Sequence, residues 1–344
     1  MGAEKNSKEI KIESLIVCPV CKDSVRFSEE EISCGRCGRS YPIITGIPRL
    51  LSDNISNTTR QTFDRKWELY YDGPHPLWIQ SIGGKRYEIS YEYPVSEERY
   101  LTWKEFLCQM LKVDPNYFRD RIVLDAGCGV GWLSYTMVRL GATVAAADLA
   151  DSSVTLTYKI LRDLHNFKVI QTDLTKIPFR TGSIDTVVSL GVMHHTANTK
   201  ETFLKLSDTV RPEGEFFLQL YEKVQPFREN LTEVVRKIIH LFPKETQLEI
   251  CKRCLTVDFS LLKNRPLRRK LFRVLNLLIM LSNTPEGSFD TYSPKHNHRH
   301  TFHAVKSWYE EDDFTDVRSL TQSPPGMNTK SGYGGALWMV GRKR

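Results

Sequence analysis

Apolar residues in this chain follow two spacings, and the switch between them marks the elements. Residues 121–126, Arg-Ile-Val-Leu-Asp-Ala, read as a buried strand, and residues 132–140 carry apolar side chains at helical spacing. Gly127-Cys-Gly-Val-Gly131 lies between them. Further strands are expected at residues 142–148, 169–173, 184–191 and 215–221. Residues 201–211 form an amphipathic helix, which Pro212-Glu-Gly214 turns into the fifth strand. Residues 225–287 look helical throughout, and a helix at 304–313 precedes strands at 314–321 and 336–342. Upstream, Phe63, Trp67 and Tyr70 share one helical face, which suits either core packing or a lid.

This alternation makes the fold class α/β. Five segments follow: a polar tail at 1–14, a small cysteine-rich unit at 15–52, and pre-core helices with a linker at 53–119. A core at 120–222 and 302–344 is interrupted by a helical insertion at 223–301. With 344 residues and a net charge of +7, the chain can bury a large core and does not demand an anionic partner. Residues 1–14 hold no apolar run of signal-peptide length, so a cytoplasmic location is expected. The run at 271–281, broken by Arg273 and Asn276, is too short to span a bilayer.

Four of the eight cysteines form two matched knuckles, Cys18-Pro-Val-Cys21 and Cys34-Gly-Arg-Cys37. A zinc ion takes four thiolates at tetrahedral corners, and each C-x-x-C turn supplies two. Such a shell is closed, so the metal it holds is structural. Together with residues 40–51, Ser-Tyr-Pro-Ile-Ile-Thr-Gly-Ile-Pro-Arg-Leu-Leu, the unit resembles the zinc ribbons of small methyltransferase-activating proteins. Cys251-Lys-Arg-Cys254 has no second pair and reads as structural, while Cys108 and Cys128 look like small buried residues.

A strand, a glycine turn and a helix open a nucleotide-binding unit. Dinucleotide enzymes place a third small residue where this chain has Trp132. The spacing Val123-Leu-Asp-Ala-Gly-Cys-Gly-Val-Gly131 instead resembles the first motif of class I methyltransferases that use S-adenosylmethionine (SAM), of the type 11 domain. The later stretches Asp185-Thr-Val-Val-Ser-Leu-Gly-Val-Met-His-His-Thr196 and Arg211-Pro-Glu-Gly214 agree with that family, except that Glu213 replaces a glycine. We expect this substitution only to stiffen the turn. The resemblance implies a Rossmann-like, seven-stranded sheet with the ribbon at its N-terminus and the helical insertion after strand five. It also implies a SAM site made by Asp125, Gly127, Cys128, Gly129, Gly131, Asp148, Leu149, Asp173, Leu174 and Leu190. In that site Asp148 meets the ribose hydroxyls and Asp173 the adenine amino group, with Trp67 and Tyr70 in a lid.

Methyl transfer from a sulfonium is an in-line displacement, so alignment and exclusion of water are the main tasks. A base is needed only for an acceptor that holds its proton tightly. His194 and His195 follow strand four, where one of them either acts as base or packs beneath the cofactor. The segment 290–303, with His296, His298, His300 and His303, does not have metal spacing. It resembles an acceptor-pocket stretch of some methyltransferases, which makes Tyr292, His298 and His300 candidates for substrate contact or proton transfer.

The basic stretch at 263–270 beside the apolar run at 271–281 suits contact with an anionic membrane or a lipid-linked acceptor, or a helix pair capping the pocket. RNA is the rival acceptor, favoured by the ribbon and the positive charge. The Ser189-Leu-Gly191 end of strand four lacks the Asn/Asp-Pro-Pro motif of amino-directed base methyltransferases. A scaffold without catalysis is disfavoured by the intact glycine loop and acids. The expected acceptor is a small molecule, a glycan or a lipid-linked intermediate.

Overall fold

The computed structural model describes residues 12–52, 57–68, 78–80, 86–88, 91–223, 225–257, 266–282, 284–320 and 335–344. Strands β1 (Val25–Phe27), β2 (Glu31–Cys34), β3 (Ser40–Ile44) and β4 (Ile47–Leu50) form an antiparallel meander. Helix α1 (Asn57–Glu68), the paired strands β5 (Trp78–Gln80) and β6 (Arg86–Glu88), and helix α2 (Glu97–Leu111) come next. The core then alternates through β7 (Ile122–Ala126), α3 (Trp132–Arg139), β8 (Thr143–Asp148), α4 (Asp151–Leu161) and β9 (Phe167–Thr172). It continues through β10 (Ile184–Leu190), α5 (Thr199–Ser207) and β11 (Val210–Tyr221). The insertion supplies α6 (Pro226–Ile239), α7 (Lys244–Ile250), α8 (Pro266–Leu278) and α9 (Pro285–Tyr292). Helix α10 (Phe302–Glu311) and strands β12 (Phe314–Ser319) and β13 (Ala336–Lys343) close the chain.

The main sheet runs β1-β2-β3-β4-β9-β8-β7-β10-β11-β13-β12. The expected seven-stranded sheet is therefore an eleven-stranded one. β4 joins β9 in parallel, pairing Arg49 with Gln171 and Leu50 with Thr172. An uncovered β9 would be an open sheet edge, and the cysteine-rich unit covers it. Its Ile16, Ile32, Tyr41 and Leu50 share one core with Leu124, Ala145, Ile170 and Val187. Burying each such large side chain contributes about 1.5–3 kcal/mol, so the unit is an integral part of the fold.

The helix expected at 201–211 is shorter. It starts at Thr199, where the Asn198 side chain accepts from the Glu201 N–H, and ends at Ser207. Val210 already pairs with Ile184, and Glu215 with Thr186, so Pro212-Glu-Gly214 is a bulge inside β11. Glu213 adopts φ +65°, the left-handed region that favours glycine. This replaces the expectation of a merely stiffer turn, because a non-glycine residue in that region costs roughly 1–2 kcal/mol.

The described residues of the insertion are mostly helical and share a core that includes Ile239, Leu248, Cys251, Phe289 and Tyr292. Cys251 is buried in a π-helical turn, and Cys254 is exposed. No helix of the described residues is long and apolar enough to cross a membrane.

Candidate active site

The strand order reverses at β7, which has β8 on one side and β10 on the other, and ligands of open α/β sheets bind beyond such a point. A cavity of about 320 Å3 opens there. Asp125, Gly127, Cys128, Gly129, Asp148, Leu149, Asp173, Leu174, Leu190 and Trp67 all line it. Gly131 stands behind it: at φ +81°, a Cβ there would lie 2.9 Å from the Thr157 Cα, so this glycine lets α3 pack closely on α4. Gly127 has φ +98°, and a Cβ would come within 2.2 Å of the Val192 side chain. Any side chain at 127 would displace the wall of the cavity.

The acids at the strand ends are held in place. Asp148 accepts from the Gly129 N–H and from the Ala150 N–H, each at 3.0 Å, which ties the glycine loop to β8. Asp173 accepts from the N–H and hydroxyl of Thr175 at 2.9 and 2.8 Å. Asp125 accepts from the Ser134 hydroxyl at 2.6 Å. Burial pushes the Asp125 carboxyl up to about 7; the Ser134 bond opposes that rise and the nearby Asp148 adds to it.

Helix α1 crosses the opening. Its Asp64 accepts from the N–H and hydroxyl of Ser152 at the N-terminus of α4 (3.1 and 3.2 Å), where a carboxylate is favoured. Phe63, Lys66 and Trp67 thereby line the cavity. Tyr70, the other expected lid residue, lies outside the described residues.

At one end of the cavity a carboxylate gathers three partners. Asp290, from α9 of the insertion, pairs with the Lys66 ammonium at 2.5 Å and accepts from the Tyr221 hydroxyl at 2.5 Å. His195 Nε2 stands 3.4 Å from the same carboxylate, and its Nδ1 is 3.0 Å from the His296 carbonyl. Both ring nitrogens thus face acceptors, and a neutral imidazole can donate to only one of them. Burial raises the Asp290 pKa, but Lys66 and His195 outweigh it and hold the carboxyl well below the usual range. Burial, with Asp290 adding to it, pushes the Tyr221 phenol well above its ordinary value.

The remaining expected residues are placed elsewhere. His194 is fully buried behind this cluster and stacks on Tyr221 at 3.9 Å; burial pushes its pKa well below the ordinary histidine value. Tyr292 does not line the cavity: its ring fills the core of the insertion, and its hydroxyl donates to the Met280 carbonyl at 2.7 Å. His298 and His300 are also outside the lining. The His298 N–H donates to the His194 carbonyl, and the His300 ring lies edge-on to Trp308. Lys66, Tyr221 and Asp290 escaped the sequence reading, although each left a trace. Lys66 lies beside the Phe63 and Trp67 stripe, Tyr221 ends a core strand, and Asp290 opens the histidine-rich segment.

A second cluster lies in the N-terminal unit. The sulfurs of Cys18, Cys21, Cys34 and Cys37 all stand within 4.8 Å of one another, with Cys18–Cys37 at 3.7 Å and Cys21–Cys34 at 3.4 Å. Thiolates about 2.3 Å from a tetrahedral zinc would be roughly 3.8 Å apart.

Residues 124–218 match the family model of a methyltransferase domain. An uncharacterized chloroplastic methyltransferase of Arabidopsis thaliana is 24% identical over 298 residues, which cover 76% of this chain and 79% of that one. The chain is a SAM-dependent methyltransferase. A mitochondrial ubiquinone biosynthesis O-methyltransferase of the same plant is 28% identical to the methyltransferase over 227 residues, 64% of this chain and 69% of that one. Among solved structures, the SAM-bound magnesium protoporphyrin IX methyltransferase of Synechocystis PCC 6803 aligns with 85% of this chain and all of its own. That likeness has 13% identity and a TM-score of 0.44, too loose to argue from.

The donor set of the methyltransferase fits SAM. Carboxylates at three strand ends can accept from ribose hydroxyls and amino groups, and Leu149, Leu174 and Leu190 offer apolar walls. SAM is a cation, and a cation in this cavity favours the ionised form of Asp125. Affinity should therefore rise about tenfold from pH 6 to pH 8, the range that spans the raised carboxyl, and level off above it. Asp125→Asn should flatten that slope, and calorimetric titrations at three pH values would check both results.

Proposed function

We propose that the chain transfers a methyl group from SAM to a small-molecule, glycan or lipid-linked acceptor by in-line displacement, with His195 as the general base. The observation that carries this reading is the Lys66–Asp290–Tyr221 cluster beside His195 at one end of the SAM cavity. SAM supplies the electrophilic methyl group. Asp148, Asp173 and the glycine loop bind and orient the donor, and Phe63 and Trp67 exclude water. The His296 carbonyl accepts from Nδ1–H and fixes the tautomer, Nε2 of His195 takes the acceptor's proton, and the Asp290 carboxylate beside it stabilises the imidazolium that forms. The setting favours a small acceptor group, because aromatic rings of α1 cover the cavity and the insertion closes its end. The relative that acts in ubiquinone biosynthesis, an O-methyltransferase by name, is in keeping with a hydroxyl acceptor. We further propose that Cys18, Cys21, Cys34 and Cys37 hold one structural zinc ion.

Titration with SAM tests the donor half of the reading. We expect micromolar binding by the zinc-replete protein and at least about 100-fold weaker binding by Asp148→Ala, which loses charged acceptors and the brace on Gly129. A folded protein that binds no SAM would overturn the assignment. Labelled SAM offered with small molecules, lipids and RNA then tests the acceptor half, and transfer to RNA alone would defeat the proposed acceptor class.

A further inference from the structure

The insertion turns two apolar stripes toward solvent. On α6, Phe227, Val234 and Ile238 recur at i, i+7 and i+11, and Leu241 and Phe242 continue the row just past the helix end. On α8, Leu267, Leu271, Val274 and Leu278 recur at i, i+4, i+7 and i+11, with Leu277 beside them. All ten are exposed, Leu241 at 81% and Leu267 at 85%. The opposite faces of these helices are already used: Ile239 on α6, with Phe272 and Leu275 on α8, packs into the core of the insertion. The two helices are neighbours, since Arg228 of α6 donates to the Asn276 side chain of α8 at 2.6 Å. Exposed apolar area on this scale marks a contact surface.

The charge around the stripes points to the occupant. Residues 263–281 contain six lysines and arginines and no acid. Among the described ones, Arg268, Lys270 and Arg273 are exposed on α8, and Lys237 is exposed beside Ile238 on α6. A second copy seated two-fold on this face would press these cations together. A protein partner would find few hydrogen-bonding groups along the stripes, Asn230 and Glu233 being the exposed ones on α6 between Phe227 and Val234. An anionic bilayer meets both conditions: its interior takes apolar side chains without hydrogen bonds, and its headgroups neutralise the basic rim.

We propose that α6 and α8 dock the protein on an anionic lipid bilayer. The same insertion delivers Asp290 to the cavity, and α6 is tied to α9 by Arg236, whose guanidinium donates to the Thr291 carbonyl at 2.5 Å. Docking would thus hold the acceptor end of the site close to the lipid surface. That consequence rests on the reading of the site above, whereas docking itself does not.

Flotation with vesicles of phosphatidylcholine alone, and with one third phosphatidylglycerol, tests the proposal on the full chain. We expect binding only to the anionic vesicles, weakened at least tenfold by 0.5 M salt. Leu241→Asp with Leu271→Asp should lower it at least tenfold, as should Arg268→Glu with Lys270→Glu and Arg273→Glu. Every substituted side chain is exposed, and unchanged SAM affinity of the variants would verify their folding and keep this result separate from the enzymatic reading. Three results would overturn the proposal: no binding to either vesicle, binding that the stripe variants retain, or a wild-type dimer in sedimentation that Leu241→Asp with Leu271→Asp dissolves while vesicles are ignored.

Discussion

Replacing Asp290 by Asn is expected to slow methyl transfer at least a hundredfold and to lower stability by about 3 kcal/mol. Both effects come from one carboxylate. Its side chain is 13% exposed and that of Lys66 14%, so the pair is largely shielded from water. Removing one member of a buried pair leaves the other charge desolvated without compensation, which is why the loss exceeds that of a surface ion pair. Urea unfolding should register this cost. Adding Lys66→Met should recover most of it, because the stranded ammonium is then gone as well. Catalysis should not recover in that double variant, since His195 still lacks its carboxylate neighbour. His195→Gln should reproduce the loss of rate with much less loss of stability and little change in SAM affinity. If His195→Gln transfers methyl groups to the acceptor within threefold of the wild-type rate, the general-base assignment fails.

Parts of this arrangement that depend on local pattern were legible in the sequence. Buried strands of a parallel sheet read as apolar runs, so β7, β8 and β10 were placed within about a residue. The glycine loop and the acids after it sit at short, regular separations, and ten of the twelve residues expected at the SAM site line one cavity. The parts that failed depend on contacts distant in sequence. Lys66 and Asp290 are 224 residues apart, and no local spacing announces their meeting. Tyr292 was expected in the pocket because its segment resembles an acceptor-pocket stretch, and it lies two positions from Asp290. On a helix that separation turns the side chain to another face, and this one points into the core of the insertion. The strand count was missed for a related reason. Pairing between β4 and β9 joins residues more than 120 positions apart, and nothing near Arg49 signals the edge it covers.

That pairing makes the cysteine-rich unit a larger lever on the enzyme than an appended module would be. Cys34→Ser is expected to remove the proposed zinc ion and to destabilise the fold by roughly 5 kcal/mol or more, lowering the melting temperature by about 10 °C. The proposed metal would join the loop before β1 to the end of β2, and without it the knuckles keep only their own backbone hydrogen bonds. Ile16, Ile32 and Tyr41 would lose their seat in the core they share with Leu124 and Ile170. The damage should reach the cofactor. Arg49 donates to the Gln171 side chain at 3.1 Å, and Lys176 donates to the Ser52 hydroxyl at 2.8 Å, so the unit braces both sides of the Asp173-Leu174 corner. SAM affinity should therefore fall together with zinc content when the metal is titrated out by a chelator. Cys254→Ser, at an exposed site outside the cluster, should leave metal content, stability and affinity unchanged. Metal analysis should return one zinc ion per chain for the wild type and none for Cys34→Ser. A wild-type protein that folds and binds SAM with no metal would show that strand pairing and the shared core suffice to hold the unit.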